Sequence, residues 1–134
     1  MENTKITSFK DLHAWQEGHK LVLTIYKITA DFPKAESYSL TDQMRRAAVS
    51  ITSNIAEGFS RSGQKEKIQF YYMSLGSLTE LQNQLLISKD LNYLNEIKYA
   101  ALYEQSVLVH KLLNGLIKSI KISLTTNYQL HTTK

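Results

Sequence analysis

The sequence predicts an all-α protein of four helices packed as a bundle, and three observations support that prediction. Its 134 residues fit one domain with one core. Pro33 is the single proline in a chain that is 43% hydrophobic, a composition typical of long uninterrupted helices. Apolar residues recur at steps of three and four in four segments separated by polar breaks. We therefore expect four helices around a single core.

The first helix begins near Leu12 and buries a wide face. Its apolar and aromatic positions recur at helical spacing: Leu12, Trp15, Leu21, Val22, Ile25, Tyr26, Ile28 and Phe32. His19 lies on the same seam, where we expect a packed histidine rather than a metal ligand. Pro33 cannot donate a backbone hydrogen bond and disfavours helical geometry at Phe32, so the helix is predicted to end there.

The second helix is predicted to start at Ser39 or Thr41, either of which can cap it. Asp42 stands three residues after Ser39, in a capping-box-like position. The helix ends near Gly58, before a polar break at residues 60–63. Its apolar stripe is Leu40, Met44, Ala47, Ile51 and Ile55.

The third helix resumes after that break and reaches about Leu91. Its apolar positions are Ile68, Tyr71, Tyr72, Leu75, Leu78, Leu85 and Leu86. Gly76 in its middle costs about 1 kcal/mol relative to alanine, which indicates close approach of another helix. We interpret Tyr71 and Tyr72 as core and interface packing rather than as base-stacking residues.

The fourth helix starts at Asn95, a favourable N-cap, and a polar tail follows it from Thr125 to Lys134. Its predicted core stripe is Ile97, Ala101, Leu108, Leu112, Leu116 and Ile120. Four further apolar residues widen that surface: Val107, Val109, Leu113 and Ile117. Apolar residues on more than one side of a bundle helix indicate that copies of the chain associate.

Composition excludes several classes of function. The absence of cysteine rules out disulfides, thiolate metal sites and cysteine nucleophiles. No stretch approaches the roughly 20 apolar residues of a membrane span, and the first ten residues lack a signal-peptide core, so we expect a cytoplasmic protein with no membrane partner. No histidine pairs with a carboxylate at metal-site spacing, and no nucleophile or phosphate-loop motif occurs. We therefore predict no catalytic residue, metal or cofactor.

A row of polar residues follows one face of the second helix at steps of four, four and three: Arg46, Ser50, Asn54 and Glu57. Ser77 and Glu80 on the third helix offer complementary groups. The row is either a binding or catalytic cluster or a satisfied network that fixes helix register. We favour the network, because carboxylate, guanidinium and amide groups neutralise one another without a ligand.

The formal net charge of +4 and the pI near 9.2 attract polyanions. Two groups of basic residues are candidates for nucleic-acid contact. One is assigned to the end of the second helix and the start of the third: Arg45, Arg61, Lys65 and Lys67. The other marks the fourth helix: Lys111, Lys118 and Lys121. Lysines near a helix carboxyl terminus also complement its dipole, so a structural role for the second group stays open.

Short sequence motifs follow one another over residues 8–124. They include Ser8-Phe9-Lys10-Asp11-Leu12, Gln43-Met44-Arg45-Arg46-Ala47, Asn54-Ile55-Ala56-Glu57-Gly58 and Gly76-Ser77-Leu78-Thr79-Glu80-Leu81. In these motifs the chain resembles the four-helix bundle family named for intervening sequences of 23S ribosomal RNA genes, also called the S23 ribosomal protein family. The domain is accordingly placed at residues 8–124, with flexible termini at residues 1–7 and 125–134.

The resemblance implies an antiparallel up-and-down bundle that assembles as a homopentamer. It also implies a relationship to the accessory variability protein of diversity-generating retroelements, a basic pentamer that binds nucleic acid and its reverse transcriptase. The function expected from sequence is a non-enzymatic oligomeric scaffold that binds RNA or DNA with little sequence specificity. The alternative is an adaptor that recruits a partner protein and has no nucleic-acid role.

Overall fold

Four α-helices make up the protein in a computed structural model that describes residues 5–132, with side chains described as far as Thr126. Their bounds are His13–Thr29 (α1), Leu40–Ser60 (α2), Gln64–Asp90 (α3) and Glu96–Thr132 (α4). Short 3₁₀ turns at Phe9–Asp11 and Lys34–Glu36 precede α1 and α2. No strand occurs in the described part of the chain, so the predicted all-α class is confirmed.

The helices pack in chain order around one core. α2 packs against α1 and α3, and α4 closes the bundle by packing against α3 and α1. Because the connections are short, consecutive helices run in opposite directions. The centre of the core consists of side chains less than 2% exposed: Leu21, Ile25, Met44, Ile51, Ile55, Tyr71, Leu78, Leu81, Leu85, Leu102, Val109 and Leu113.

The proline break after the first helix is confirmed. α1 stops at Thr29, and backbone hydrogen bonds continue the turn as far as Phe32, directly before Pro33. The predicted apolar face of this helix is only partly right. Leu21 and Ile25 are fully buried, whereas Tyr26 is exposed on the side of α1 that faces α2.

The connection between α1 and α2 is held differently from the prediction. Ser39 is the N-cap residue of α2, one of the two predicted positions, but its side chain makes no capping hydrogen bond. Glu36 takes that role, because its Oε1 accepts the Leu40 N–H at 3.3 Å. The other carboxylate oxygen of Glu36 accepts a hydrogen bond from Tyr93 Oη at 2.8 Å, which joins this connection to the one between α3 and α4. That bond raises the pKa of Tyr93.

The connection between α3 and α4 closes in a tight turn. Asn92 has a φ of 65°, and the Tyr93 N–H returns to the Ser88 carbonyl at 2.9 Å while the Asn92 N–H bonds to the Lys89 carbonyl. This is the hydrogen-bond pattern of a helix C-cap with a left-handed residue, a role that asparagine can fill. Asn95 then caps α4 as predicted, since its Oδ1 accepts the Lys98 N–H at 2.8 Å.

The close approach predicted at Gly76 is wrong, and it occurs at Gly58 instead. A side-chain carbon at Gly76 would meet no neighbouring atom within 4 Å. At Gly58 the same carbon would lie 2.8 Å from the ring of Tyr71 and 3.0 Å from Phe70 Cβ. Glycine at position 58 therefore lets α2 and α3 meet directly before the chain reverses.

The core face of α4 also differs from the prediction. The buried residues on this helix are Leu102, Ser106, Val109, Leu113, Ile117 and Ile120. Of the six predicted core positions only Ile120 is buried, and Ile97 is 81% exposed. Both apolar rows have helical spacing, so the sequence alone does not tell which of them faces α1 and α3.

The structure describes parts of the two segments that flank the predicted domain. The backbone N–H groups of Thr7 and Ser8 donate to the Asp11 carboxylate at 3.0 Å, and these bonds lower the pKa of that group. α4 continues to Thr132, eight residues beyond the predicted end of the domain at Leu124. Residues 1–4 and 133–134 lie outside the described part. No described helix has the length and apolarity needed to cross a membrane.

Candidate nucleic-acid interface

Formal charge is distributed unevenly along the bundle. We divide the described residues into two halves along the length of the bundle, near the level where Gly18 packs against Thr52. The basic half comprises residues 5–17, 53–71 and 111–126, and the neutral half comprises residues 18–52 and 72–110. The basic half contains eight Lys and Arg against four Asp and Glu, whereas the neutral half contains seven of each kind. The net charge of +4 therefore lies in the half where α2 passes into α3.

One exposed face of α4 carries much of that excess. Its side chains follow one another at steps of three and four: Lys111, Asn114, Lys118, Lys121 and Thr125. All five are exposed, while other sides of the helix bury Leu113, Ile117 and Ile120. The last acidic residue of the sequence is Glu104, so no carboxylate follows along this part of the chain. We call these five residues the basic stripe.

Tyr72 on α3 lies beside the basic stripe. Lys121 Nζ donates a hydrogen bond to Tyr72 Oη and lies 5.2 Å from the centre of its ring. Tyr71 is 1% exposed, so its predicted packing in the core is confirmed, whereas Tyr72 is 46% exposed and lies outside the core. A shallow groove of about 240 Å³ adjoins this contact and is lined by Lys118, Lys121, Ile122, Thr125 and Thr126.

The cations around the α2–α3 connection are largely engaged within the protein. Arg61 Nη2 lies 2.7 Å from Glu57 Oε2. Lys67 Nζ donates to the Phe59 carbonyl at 2.7 Å, at the C-terminal end of α2, and partial burial lowers the pKa of its ammonium group. Lys65 is exposed and forms no ion pair with any described residue. Of this group, Lys65 is the cation best placed to meet a ligand.

Arg45 lies in the other half of the bundle, so its predicted grouping with Lys65 and Lys67 is wrong. It stands in the second turn of α2. Its Nε donates to Thr29 Oγ1 at 2.9 Å, its Nη2 donates to the Tyr26 carbonyl at 3.3 Å, and its guanidinium lies 4.6 Å from the centre of the Tyr26 ring. These contacts cap the C-terminal end of α1, which is a structural role.

The centre of the polar row joins α2 to α3. Ser50 Oγ and Ser77 Oγ are 2.8 Å apart. Asn54 Nδ2 donates to the carbonyl and the hydroxyl oxygen of Ser50 at 2.9 and 3.1 Å. These three half-buried side chains satisfy one another, as expected of contacts that fix the register of two helices.

The charged members of the row lie outside that centre. Arg46 pairs with Asp42 at 2.9 Å, and both partners are exposed or half-buried within one helix. Glu57 is held by Arg61, one turn away. Glu80 is exposed and accepts only a long hydrogen bond of 3.4 Å from Gln84. The six residues therefore form a hydroxyl and amide centre with three separate charged groups, rather than one continuous network.

The histidines whose side chains are described show no arrangement for metal binding. His19 is exposed, contrary to its predicted packing in the core seam, and its ring stacks on Trp15 at 4.7 Å between centroids. Among the described side chains, no group of three or more His, Asp or Glu is close enough to hold a metal ion. His131 lies outside the described side chains.

The three lysines of the stripe were predicted from the sequence, but their neighbours were not. Asn114, Thr125 and Tyr72 carry no motif by themselves. The first two share the spacing of the lysines along α4, and the absence of acidic residues after Glu104 marks the same surface. Tyr72 comes from another helix, so no spacing rule connects it to Lys121.

Comparison with known proteins agrees with this fold. The family model described as 23S rRNA-intervening sequence protein matches residues 10–115. The chain is similar to the crystal structure of a protein of unknown function from the S23 ribosomal protein family of Bacteroides thetaiotaomicron, with a TM-score of 0.71 and 20% sequence identity. That match covers 78% of this chain and 98% of the other. No curated protein gives a significant match.

Proposed function

Because the chain belongs to the 23S rRNA-intervening sequence protein family, we propose that it is a non-enzymatic oligomeric scaffold that binds RNA or DNA. The basic half binds the phosphate backbone with little dependence on base sequence. The observation that supports this proposal is the location of the whole +4 charge in one half of the bundle. A concentrated patch favours polyanions, because attraction between exposed charges fades over about 10 Å at 0.1 M salt.

Self-association is supported by a second apolar row on α4. Ile97 and Leu108 are 81% and 42% exposed, on a different side of the helix from the core residues. Leu112 and Leu116 continue that row into an apolar groove of about 310 Å³ between the start of α1 and α4. We propose that another copy of the chain covers this row, in the homopentamer that the family resemblance implies. Five copies carry a formal charge of about +20, five times that of one chain.

A salt titration of binding tests the nucleic-acid part of the proposal. The full chain is mixed with labelled RNA and DNA of unrelated sequences between roughly 50 and 200 mM salt. We expect similar affinities among sequences and a linear fall of log K with log salt concentration. Binding that does not change with salt would reject phosphate contact as its basis.

Charge-matched variants test where the contact lies. Lys65→Gln with Lys111→Gln removes two charges from the basic half, and Lys27→Gln with Lys34→Gln removes two exposed charges from the neutral half. We expect the first pair to reduce the salt slope by about two and the second pair to leave it unchanged. Equal losses in both pairs would mean that the net charge, not its location, determines binding.

An adaptor that recruits a protein partner is the second candidate, and the exposed row on α4 favours it if a different protein covers that row. Light scattering separates the two cases, because self-association predicts an oligomer and the adaptor permits a monomer. A monomer that retains a partner after nuclease treatment would favour the adaptor. The family resemblance makes a reverse transcriptase the first partner to test.

A further inference from the structure

We propose that the basic stripe and Tyr72 form a binding site for single-stranded nucleic acid. In this site the lysines of the stripe contact backbone phosphates, and the ring of Tyr72 stacks on a base. The inference rests on the proposed function, since it requires that the basic half bind nucleic acid. The inference specifies a single strand as the ligand and names the residues that favour it over a duplex.

The stripe forms a continuous cationic track. Between Lys111 and Thr125 the helix rises about 21 Å, long enough to follow several backbone phosphates. The ammonium groups on this face meet phosphates as point charges, and the amide of Asn114 and the hydroxyl of Thr125 can donate hydrogen bonds to the same oxygens. Contacts of this kind position a strand without reading its sequence.

Tyr72 adds a contact that unpaired bases can use. Lys121 holds its hydroxyl, and the side chain stays 46% exposed next to Met73, which is 55% exposed. Bases within a duplex stack on one another, whereas a single strand presents base faces to a protein. An aromatic ring beside a row of cations is the arrangement by which proteins bind single strands without sequence preference.

Tyr26 provides a natural comparison within the same chain. It is 44% exposed and carries a cation, Arg45, over its ring. That arginine is engaged with the end of α1, and the carboxylate of Asp42 lines the same groove. Arg46 lines that groove too, and it pairs with Asp42 at 2.9 Å. Both arginines of the groove are therefore engaged within the protein, so Tyr26 lacks the row of exposed lysines that accompanies Tyr72.

The site extends beyond the part of the chain that the family model covers. The match ends at residue 115, while α4 continues to Thr132. Lys118 and Lys121 therefore lie in a helical extension past the matched region, together with the groove that adjoins Tyr72. The site therefore combines Tyr72, Lys111 and Asn114 of the matched region with residues of this extension.

Fluorescence anisotropy with the full chain tests the site. The probes are labelled oligo(U), labelled oligo(dU) and a labelled duplex of the same length, all at one low salt concentration. We expect both single strands to bind more tightly than the duplex by about five- to a hundredfold, the range that stacking of one base provides. A preference between the two single strands supports the site and identifies the sugar.

Variants separate stacking from charge. Tyr72→Leu keeps an apolar side chain without the ring, so it should weaken single-strand binding about five- to a hundredfold and leave duplex binding unchanged. Tyr72→Phe should bind like the natural chain, and Tyr26→Leu is the matched control. Lys118→Gln with Lys121→Gln should reduce the salt slope by about two, while Lys27→Gln with Lys98→Gln should not. Circular dichroism and light scattering establish that each variant keeps its fold and assembly.

The outcomes distinguish this site from the broader proposal. Equal binding of single strands and duplex, or unchanged single-strand affinity in Tyr72→Leu, overturns the site and leaves nucleic-acid binding by the basic half intact. No binding to any of the three probes at low salt removes the proposed function itself, and this inference with it.

Discussion

The two halves of the bundle hold their helix ends in the same way but present different surfaces. In the neutral half Arg45 from α2 caps the C-terminal end of α1, and in the basic half Lys67 from α3 caps that of α2. The neutral half balances its remaining cations with carboxylates. The basic half leaves Lys118 and Lys121 on a face without acidic residues. Net charge alone therefore does not locate a binding surface, because some cations already make contacts that stabilise the fold.

We expect the largest changes in stability from substitutions at two glycines, and the two changes should have opposite signs. Gly58→Ala should destabilise the protein by about 1–3 kcal/mol, because the new carbon lies 2.8 Å from the buried ring of Tyr71 and the neighbouring helix must shift. Gly76→Ala is the matched control on α3. It meets open space and should stabilise by roughly 0.5–1 kcal/mol, since alanine is the better helix former.

Urea unfolding of the two glycine variants measures both effects. Changes of opposite sign in the free energy of unfolding would show that α2 and α3 are close-packed at Gly58 and that α3 is open at Gly76. A loss of stability in Gly76→Ala of the same size as in Gly58→Ala would contradict the packing described for α3.

Smaller effects are expected from the two capping cations. Arg45→Met should cost about 1–2 kcal/mol, because it removes two hydrogen bonds to the end of α1 and the contact with the Tyr26 ring. Lys67→Met should cost about 1 kcal/mol, since it removes one strong hydrogen bond at a partly exposed position. Thermal or urea unfolding of the two variants would measure both losses of stability.

Nucleic-acid binding of the same two variants sharpens the comparison. Because both cations are engaged within the protein, we expect neither variant to change the salt slope as strongly as loss of Lys118 and Lys121. A large loss of binding in Arg45→Met, with its fold intact, would place a phosphate contact in the neutral half and break the distinction between the two halves.

Sequence periodicity predicted the helices well and their faces less well. Pro33, the break at residues 60–63 and the Asn95 cap act locally, so the breaks they predict appear in the structure. The core face of α4 depends on which neighbours it packs against. Two apolar rows compete on that helix, and only tertiary contact selects between them.

The candidate site shows the same limit. Lysine spacing on α4 is visible in the sequence, and it identified three members of the stripe. The pairing of Lys121 with Tyr72 joins residues 49 positions apart, so it follows from the antiparallel packing of α3 and α4. The position of Gly58 against Tyr71 also depends on packing, since a glycine inside a helical pattern does not reveal which neighbour lies closest to it.

The smallest expected effect probes the two connections of the neutral half. Tyr93→Phe removes the hydrogen bond to Glu36, so the variant should melt below the natural chain at neutral pH. The bond raises the pKa of Tyr93 in the folded protein above its ordinary value of about 10. Its contribution to stability is therefore fully present below that ordinary value and is lost as the pH rises through the raised one.

The pH dependence of this difference is the informative measurement. Burial raises the pKa of Tyr71 to about 12, and that residue is present in both chains, so its titration affects them alike. The gap in melting temperature between the natural chain and Tyr93→Phe should consequently narrow as the solution is made alkaline. A gap that stays constant from neutral to alkaline pH would show that the tyrosine hydroxyl does not join the two connections.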